Sequence, residues 1–403
     1  MDAQSVATVF GGLALLTVSA CLDDGGLDDG RVESTIDYEA VVAEIVTVIG
    51  DDESRGPEYL FGSISSVATD PNGRVYVADR TTSNVRIYSL AGELLQTIGR
   101  EGEGPGEFQV PSDLLFVGRD LWVQDLTRIQ QMIPRVGSTV PDSLGVTLRL
   151  RDYASAASNR ARMVGAQYFY PRYFFPFTGG ARYFYEIFGL DGSLDTLDVP
   201  PLRNMAPLRG TSYRLGRLDR SERELISSLN RAPFEPVASW DLTTDGTLLM
   251  SSGDGATVIE LASSGDTIRE FALPGPIRLV PQGEKSDSAR ALNARLAQLT
   301  VPLRNVENVS PFIVRGELPD SLPTVLAVHV GADDRVWVQV WPSQAGITEF
   351  VRFDRAGRYV ATIQVPVRLS GSVPPHFRGE YIVGVAEDAT TGTQSVVVAR
   401  VRG

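Results

Sequence analysis

The chain has 403 residues, is 43% apolar and 22% charged, and carries a formal charge of −13 with one cysteine, two histidines and a single lysine, Lys285. These proportions belong to a globular chain and not a disordered one; one cysteine excludes a disulfide scaffold or a cysteine-rich zinc site, and His329 and His376 are too few for a histidine-cluster metal centre. An acidic chain with an isolated lysine is repelled by phosphate backbones, which sets DNA and RNA aside as partners.

From the N-terminus, the segment Ala3 to Cys21 contains no charged residue. Its apolar stretch, Ala7 to Ala20, is too short to cross a hydrocarbon core as a helix, which takes about 20 residues, and fits the apolar region of a secretory signal. The run Val18-Ser19-Ala20-Cys21 resembles the bacterial lipobox, in which small residues before a cysteine admit the lipoprotein signal peptidase and the new N-terminal cysteine carries lipid. That resemblance implies lipidation of Cys21, weighed against a plain buried cysteine. The following LDDGGLDDG, residues 22–30, is too polar and glycine-rich to bury apolar area and reads as a tether. The expected organisation is a lipoprotein-type signal over 1–21, a flexible acidic tether over 22–34 and one domain over 35–403. The protein is then exported and lipid-anchored in the cell envelope, in the periplasm or at the outer surface, with the membrane as a partner through the anchor alone.

Internal repetition decides the fold of that domain. The clearest unit is Ser66 to Gly99: β-rich runs at Val67–Thr69, Val75–Ala78, Val85–Ser89 and Leu94–Ile98 are joined by turns such as Asp70-Pro71-Asn72-Gly73 and Ala91-Gly92. Four short strands in meander order, repeated along a chain, indicate a β-propeller. Partial copies follow at Asp113–Gln131, Tyr183–Leu197, Val237–Phe271, Leu326–Ile363 and Tyr381–Val401, the last of which lacks a final strand. Glu44 to Gly50 matches Glu93 to Gly99 in character, and each is followed by a Gly-Pro pair, Gly56-Pro57 and Gly104-Pro105. An outermost strand therefore precedes the first blade with nothing of its own to pair with, and closure predicts that it completes the C-terminal blade. Two segments between blades read as helices: a capping box at Ser221–Glu224 before Leu225, Ile226 and Leu229, and Leu292, Leu296 and Leu299 ahead of Pro302.

The motif Gly102-Glu103-Gly104-Pro105-Gly106-Glu107-Phe108 with Pro111, after the Asp-Pro-Asn-Gly-Arg-Val-Tyr-Val-Ala-Asp run ending at Asp79, resembles NHL-repeat propellers and the six-bladed propeller lipoproteins of bacteria. The resemblance implies a six-bladed ring, and the repeat count gives the same number. The expected fold is all-β: a six-bladed β-propeller of four-stranded antiparallel blades, closed by the N-terminal strand, with short helical insertions.

Chemistry is sparse in this sequence. No Gly-x-Ser-x-Gly elbow occurs, and Gly102 to Gly106 lacks the Lys-Ser/Thr of a phosphate loop, so it reads as a flexible connection between blades. His329 alternates within Val328–Val330 as a strand residue. Asp79 and Asp125 end equivalent strands; as repeated features they read as turn carboxylates that accept backbone N–H groups, the alternative being that they line the channel mouth. The local anomaly is aromatic, since Tyr168 to Phe188 holds eleven of the chain's 33 aromatic side chains. Alternation sends these rings to both faces of a hairpin, where neighbouring blades bury them or, in the functional reading, Tyr170, Arg172, Tyr173, Phe174 and Arg182 form a platform for a protein, peptide or carbohydrate ligand. The expected function is a monomeric, lipid-anchored binding scaffold without a cofactor. The competing class is a calcium-dependent propeller hydrolase or lactonase with Asp, Glu and Asn ligands in the central channel.

Overall fold

The computed structural model describes residues 40–50, 53–126, 128–134, 141–150, 161–174, 182–200, 234, 236, 238–251, 255–275, 277–300 and 318–402. All of them belong to the unit Thr35–Gly403. The proposed signal, tether and Cys21, and the capping-box segment near Ser221, lie outside the described residues.

The chain forms a six-bladed propeller. Two strands, β1 (Val41–Val42) and β2 (Glu44–Ile49), precede the first blade. Blade 1 comprises β3 (Ile64–Thr69), β4 (Val75–Asp79), β5 (Asn84–Tyr88) and β6 (Leu94–Ile98). Blade 2 comprises β7 (Pro111–Val117), β8 (Asp120–Asp125), β9 (Arg128–Pro134) and β10 (Pro141–Arg149). Blade 3 follows with β11 (Arg162–Val164), β12 (Gln167–Phe174), β13 (Arg182–Gly189) and β14 (Leu194–Val199). Blade 4 is built from β15 (Ser239–Leu242), β16 (Leu248–Ser251), β17 (Thr257–Leu261) and β18 (Thr267–Ala272). A helix, α1 (Gln282–Thr300), separates it from blade 5, which holds β19 (Val325–Val330), β20 (Val336–Val340), β21 (Thr348–Phe353) and β22 (Tyr359–Val365). Blade 6 contains β23 (His376–Arg378), β24 (Tyr381–Glu387) and β25 (Gln394–Arg400).

The missing outer strand of blade 6 is β2, antiparallel to β25 with Glu44 opposite Arg400 and Ile49 opposite Val396. The N-terminal segment does one thing more than the repeat pattern predicts. β1 pairs in parallel with β22, the outer strand of blade 5, at Val41–Ile363 and Val42–Gln364, and the N–H of Ala43 donates to the Gln364 carbonyl at 2.8 Å. One continuous strap thus crosses from blade 5 to blade 6 and covers two outer edges that would otherwise be open.

Closure is also visible in the packing. Apolar side chains form one cluster per seam between blades: Tyr76 and Ile87 with Leu121 and Val123 (blades 1 and 2), Trp122 with Tyr168 (2 and 3), Tyr185 with Trp240 (3 and 4), Phe271 with Val338 (4 and 5), Trp337 with Phe377 (5 and 6) and Val383 with Val67 (6 and 1). Strand alternation supplies both sides of each blade with apolar residues, and each fully buried large side chain stabilises by about 1.5–3 kcal/mol. A smaller seventh cluster joins Phe234, Val280, Ala289, Leu318 and Leu322 beneath the start of α1. The helix begins at Gln282, ten residues before Leu292, the first residue of the sequence-predicted stripe.

Turns use the chemistry that their residues dictate. Asp70 Oδ1 accepts from the N–H groups of Asn72 and Arg74, both at 2.9 Å, while Gly73 takes φ +83°. Asp354, Ala356, Gly357 and Arg358 repeat the device in blade 5, with the same two 2.9 Å bonds to Asp354 Oδ1 and φ +80° at Gly357.

Candidate functional site

Because each blade is an antiparallel meander, the propeller has two distinct faces. The turns β3–β4 and β5–β6, and their equivalents in other blades, lie on one face, the turn face. The turns between second and third strands lie with the blade-to-blade connections on the other, the connection face. The first strand of each blade is innermost, and β3 and β7, like β15 and β19, lie side by side.

Around these inner strands, polar side chains tie blade to blade. Asp113 on β7 accepts from Ser66 Oγ at 2.9 Å in blade 1 and from the Ala161 N–H at 3.0 Å at the start of blade 3. Ser66 Oγ in turn accepts from the Leu114 N–H at 3.1 Å, and in blade 4 Ser239 Oγ accepts from the Val328 N–H at 2.8 Å. The strongest tie is Arg162 on β11. Its Nε and Nη2 donate to Asp241 of β15 at 3.1 and 2.5 Å, and Nη2 also donates to the Val330 carbonyl of β19 at 2.6 Å. Asp241 Oδ2 accepts from the Val330 N–H at 2.8 Å, so one ion pair bridges blades 3, 4 and 5. The Arg162 side chain is 16% exposed and that of Asp241 5%. Burial works against the guanidinium's charge, but Asp241 outweighs it and the net shift of Arg162 is upward. Burial pushes the hydroxyl of Tyr185, beside this pair, well above the ordinary tyrosine range, and the Asp241 charge adds to the effect.

The sequence-predicted site residues fall in three places. Tyr170 is 4% exposed, its ring stacked 6.3 Å from that of Tyr168 in the seam against Trp122 and Leu150 of blade 2. Phe169 and Tyr185, on the opposite face of the same hairpin, pack into the seam with blade 4. Tyr168, Phe169, Tyr170, Tyr185 and Phe188 are therefore seam material, as alternation between two covering blades allows. Arg172, Tyr173 and Phe174 pair in register with Phe184, Tyr183 and Arg182 towards the connection-face end of the hairpin; the side chains of Arg172, Tyr173, Phe174 and Arg182 lie outside the described residues.

Asp79 and Asp125 occupy equivalent corners on the connection face. Asp79 accepts from the N–H groups of Gly62 (3.3 Å), Ser63 (3.1 Å) and Thr81 (2.9 Å). Asp125 accepts from Gln109 (2.8 Å) and Val110 (2.6 Å) and pairs with Arg128 at 2.9 Å. Each carboxylate fastens the incoming connection to the second strand. Next to Asp125, the Gly102–Gly106 segment departs from the flexible connection read in the sequence. Glu107 accepts from the Gly104 N–H (2.9 Å) and from Arg100 Nε and Nη2 (2.9 and 2.7 Å), while Arg128 donates to the carbonyls of Glu103 and Glu107 at 2.7 and 2.8 Å. The Gly104 N–H and then the Arg100 guanidinium hold the Glu107 carboxyl below the usual carboxylate range.

Lys285, on α1, is buried and ion-paired with Asp320. His329 sits on β19 between the rings of Phe350 and Phe377, and His376 opens β23. Among the described residues, no group of three or more His, Cys, Asp or Glu side chains is placed to hold a metal ion, and no helix is long and apolar enough to cross a membrane.

Two concavities open on the surface near blade 5. On the connection face, a cleft of about 260 Å³ between blades 4 and 5 is lined by Leu273, Pro274, Leu322, Trp341, Glu349 and Thr362, among others. Its buried Glu349 accepts from Ser343 Oγ at 2.6 Å. On the turn face, an open groove of about 510 Å³ is lined by Asp333, Arg335, Asp354, Arg355, Ala356 and Arg358. Sequence reading found neither feature, nor the Arg162–Asp241 tie, because their members come from different strands or blades.

Comparison with a family model agrees with the ring. The DUF5128 family model, described as a six-bladed β-propeller, matches residues 57–119, which hold blade 1 and the start of blade 2. No curated protein matches the chain. Among solved structures it is similar to a member of the DUF4221 family from Bacteroides vulgatus, at 10% identity over 90% of this chain and 98% of the other with a TM-score of 0.47. It is also similar to regucalcin, a calcium-binding protein from Agrobacterium tumefaciens, at 11% identity over 90% and 98% with a TM-score of 0.37. A third similarity is to virginiamycin B lyase from Staphylococcus aureus, at 12% identity over 84% and 95% with a TM-score of 0.37.

Proposed function

We propose that this protein is an exported bacterial lipoprotein whose six-bladed, NHL-like propeller serves as a rigid binding scaffold in the cell envelope. The observation that carries the scaffold reading is the use made of polar groups around the inner strands. Asp113, Asp241, Arg162, Ser66 and Ser239 are engaged in holding one blade to the next. Such groups rigidify a frame and leave recognition to loops and clefts on the two faces. Anchoring rests on the lipobox-like Val18-Ser19-Ala20-Cys21 and the acidic tether after it. Each buried methylene of an attached acyl chain contributes about 0.8 kcal/mol, so a multiply acylated cysteine holds a protein at a membrane without a spanning helix.

Two measurements test this reading. Full-length protein made in a bacterium should partition into the detergent phase on cloud-point separation, and Cys21→Ala should move it to the aqueous phase; equal partitioning of both would remove the anchor. Thermal unfolding of the purified domain in calcium and in chelator should superimpose. A saturable rise of the melting temperature with calcium would instead favour the calcium-dependent hydrolase.

A further inference from the structure

On the turn face, where the first hairpins of blades 5 and 6 meet blade 1, three guanidinium groups gather around one carboxylate. Arg335 lies 3.3 Å from Asp333 Oδ2 and donates to the Gly379 carbonyl at 3.1 Å. Arg352, on β21, stands over the Trp337 ring, 5.5 Å from its centre, and has no hydrogen-bond or ion-pair partner among the described residues. Arg378, on the inner strand β23, donates through Nε to the Thr69 carbonyl at 3.1 Å, and its terminal nitrogens are unengaged among the described residues.

The surrounding carboxylates are already taken. Asp70 is bound by Arg74 at 2.5 Å, Asp334 pairs with Arg355 at 3.3 Å and Asp354 with Arg358 at 2.8 Å. Asp333 faces Arg335, Arg352 and Arg378, and Asp70, already paired with Arg74, also acts on Arg378; counting Arg74 with Asp70, two positive charges remain in excess within a chain of net charge −13. Burial lowers the pKa of both Arg352 and Arg378, and the Arg335 charge lowers that of Arg352 further. The buried indole N–H of Trp337 is also without a partner. It lies 3.3 Å from the point where a Cβ on Gly331 would stand, with Asp333 Oδ1 2.7 Å from the same point. The open groove beside Asp333 and Arg335 gives solvent access.

Partly buried cations without counter-charges are unfavourable unless something supplies the charge. A planar guanidinium fork matches an oxyanion, donating two parallel bonds. We propose that Arg335, Arg352 and Arg378 form a binding site for an oxyanion group, a phosphate or carboxylate borne by a small ligand, at the turn-face mouth of the ring. The site rests on the scaffold reading and gives it a ligand chemistry. Asp333 serves as the internal counter-ion that the ligand displaces or shares.

The test is thermal unfolding of the purified domain titrated with sodium phosphate, sodium succinate and sodium chloride at matched ionic strength and pH. Phosphate or succinate should stabilise saturably beyond chloride, and the tighter of the two identifies the anion's source. Removing one charged donor, Arg352→Met or Arg378→Met, should weaken that binding by about tenfold or more. Asp333→Asn should strengthen it, and Arg290→Met, on α1 and paired with Asp287, should leave it unchanged. Arg352→Lys keeps the charge and the stem over Trp337 but loses the fork, so it should weaken binding by a smaller factor even where the methionine variant does not fold. Equal responses to all three salts, or parent affinity in the Arg352 variants, would overturn the site. Calcium dependence in the same assay bears on the scaffold reading alone, so the two ideas fail separately.

Discussion

Arg162 and Asp241 are 79 positions apart and become neighbours only because the ring brings β11, β15 and β19 together. Neither residue stood out in the sequence, since an isolated arginine beside a short strand carries no pattern. The Asp70 turn was legible for the opposite reason: Asp70 works through backbone groups two and four residues ahead, a device that Asp354 repeats in blade 5. Breaking a buried pair leaves its partner's charge uncompensated, which costs more than the pair itself contributes. Asp241→Asn is therefore expected to lower stability by about 3–5 kcal/mol in urea unfolding. A loss under about 1 kcal/mol would mean that the Val330 carbonyl alone satisfies Arg162.

At the scale of elements, the connection containing Glu107 is held by bonds that depend on a charge. A carboxyl whose folded pKa lies below its unfolded value stabilises fully above the unfolded value, and that contribution is lost as pH falls through the folded one. The stability gap between the parent and Glu107→Gln should thus be widest near about pH 6 and close towards about pH 3. A gap that does not change across that range would detach Glu107 from the loop's order. The strand pairing of Glu44–Gly50 with the last blade was readable because it echoes Glu93–Gly99 residue for residue. Gly50 and Gly99 both take positive φ, and a Cβ at either would stand 2.7 or 2.2 Å from the ring of Phe61 or Phe108. What the sequence hid at this scale were short elements, the two residues of β1 and the three of β23, which are too brief to show a period. The aromatic run of blade 3 was visible as composition, yet only the neighbouring blades decide which of its rings are covered.

For the molecule as a whole, stability follows from ring closure: six seams each bury apolar side chains, and each seam exists only while both neighbours stay in place. The N-terminal strap covers blades 5 and 6, buries Ala43 and Ile49, and reinforces the last seam, where the Ile64 N–H donates to Gln394 Oε1 at 2.7 Å. Under the scaffold proposal, clefts held in place on two faces depend on that closure. The most direct measurement is thermal unfolding of the domain with and without residues 35–50, under the same conditions. Removing them should lower the transition by about 5 °C, since several kcal/mol of burial and strand pairing are lost from a large cooperative ring. An unchanged, single transition at the parent temperature would contradict closure by the N-terminal strap.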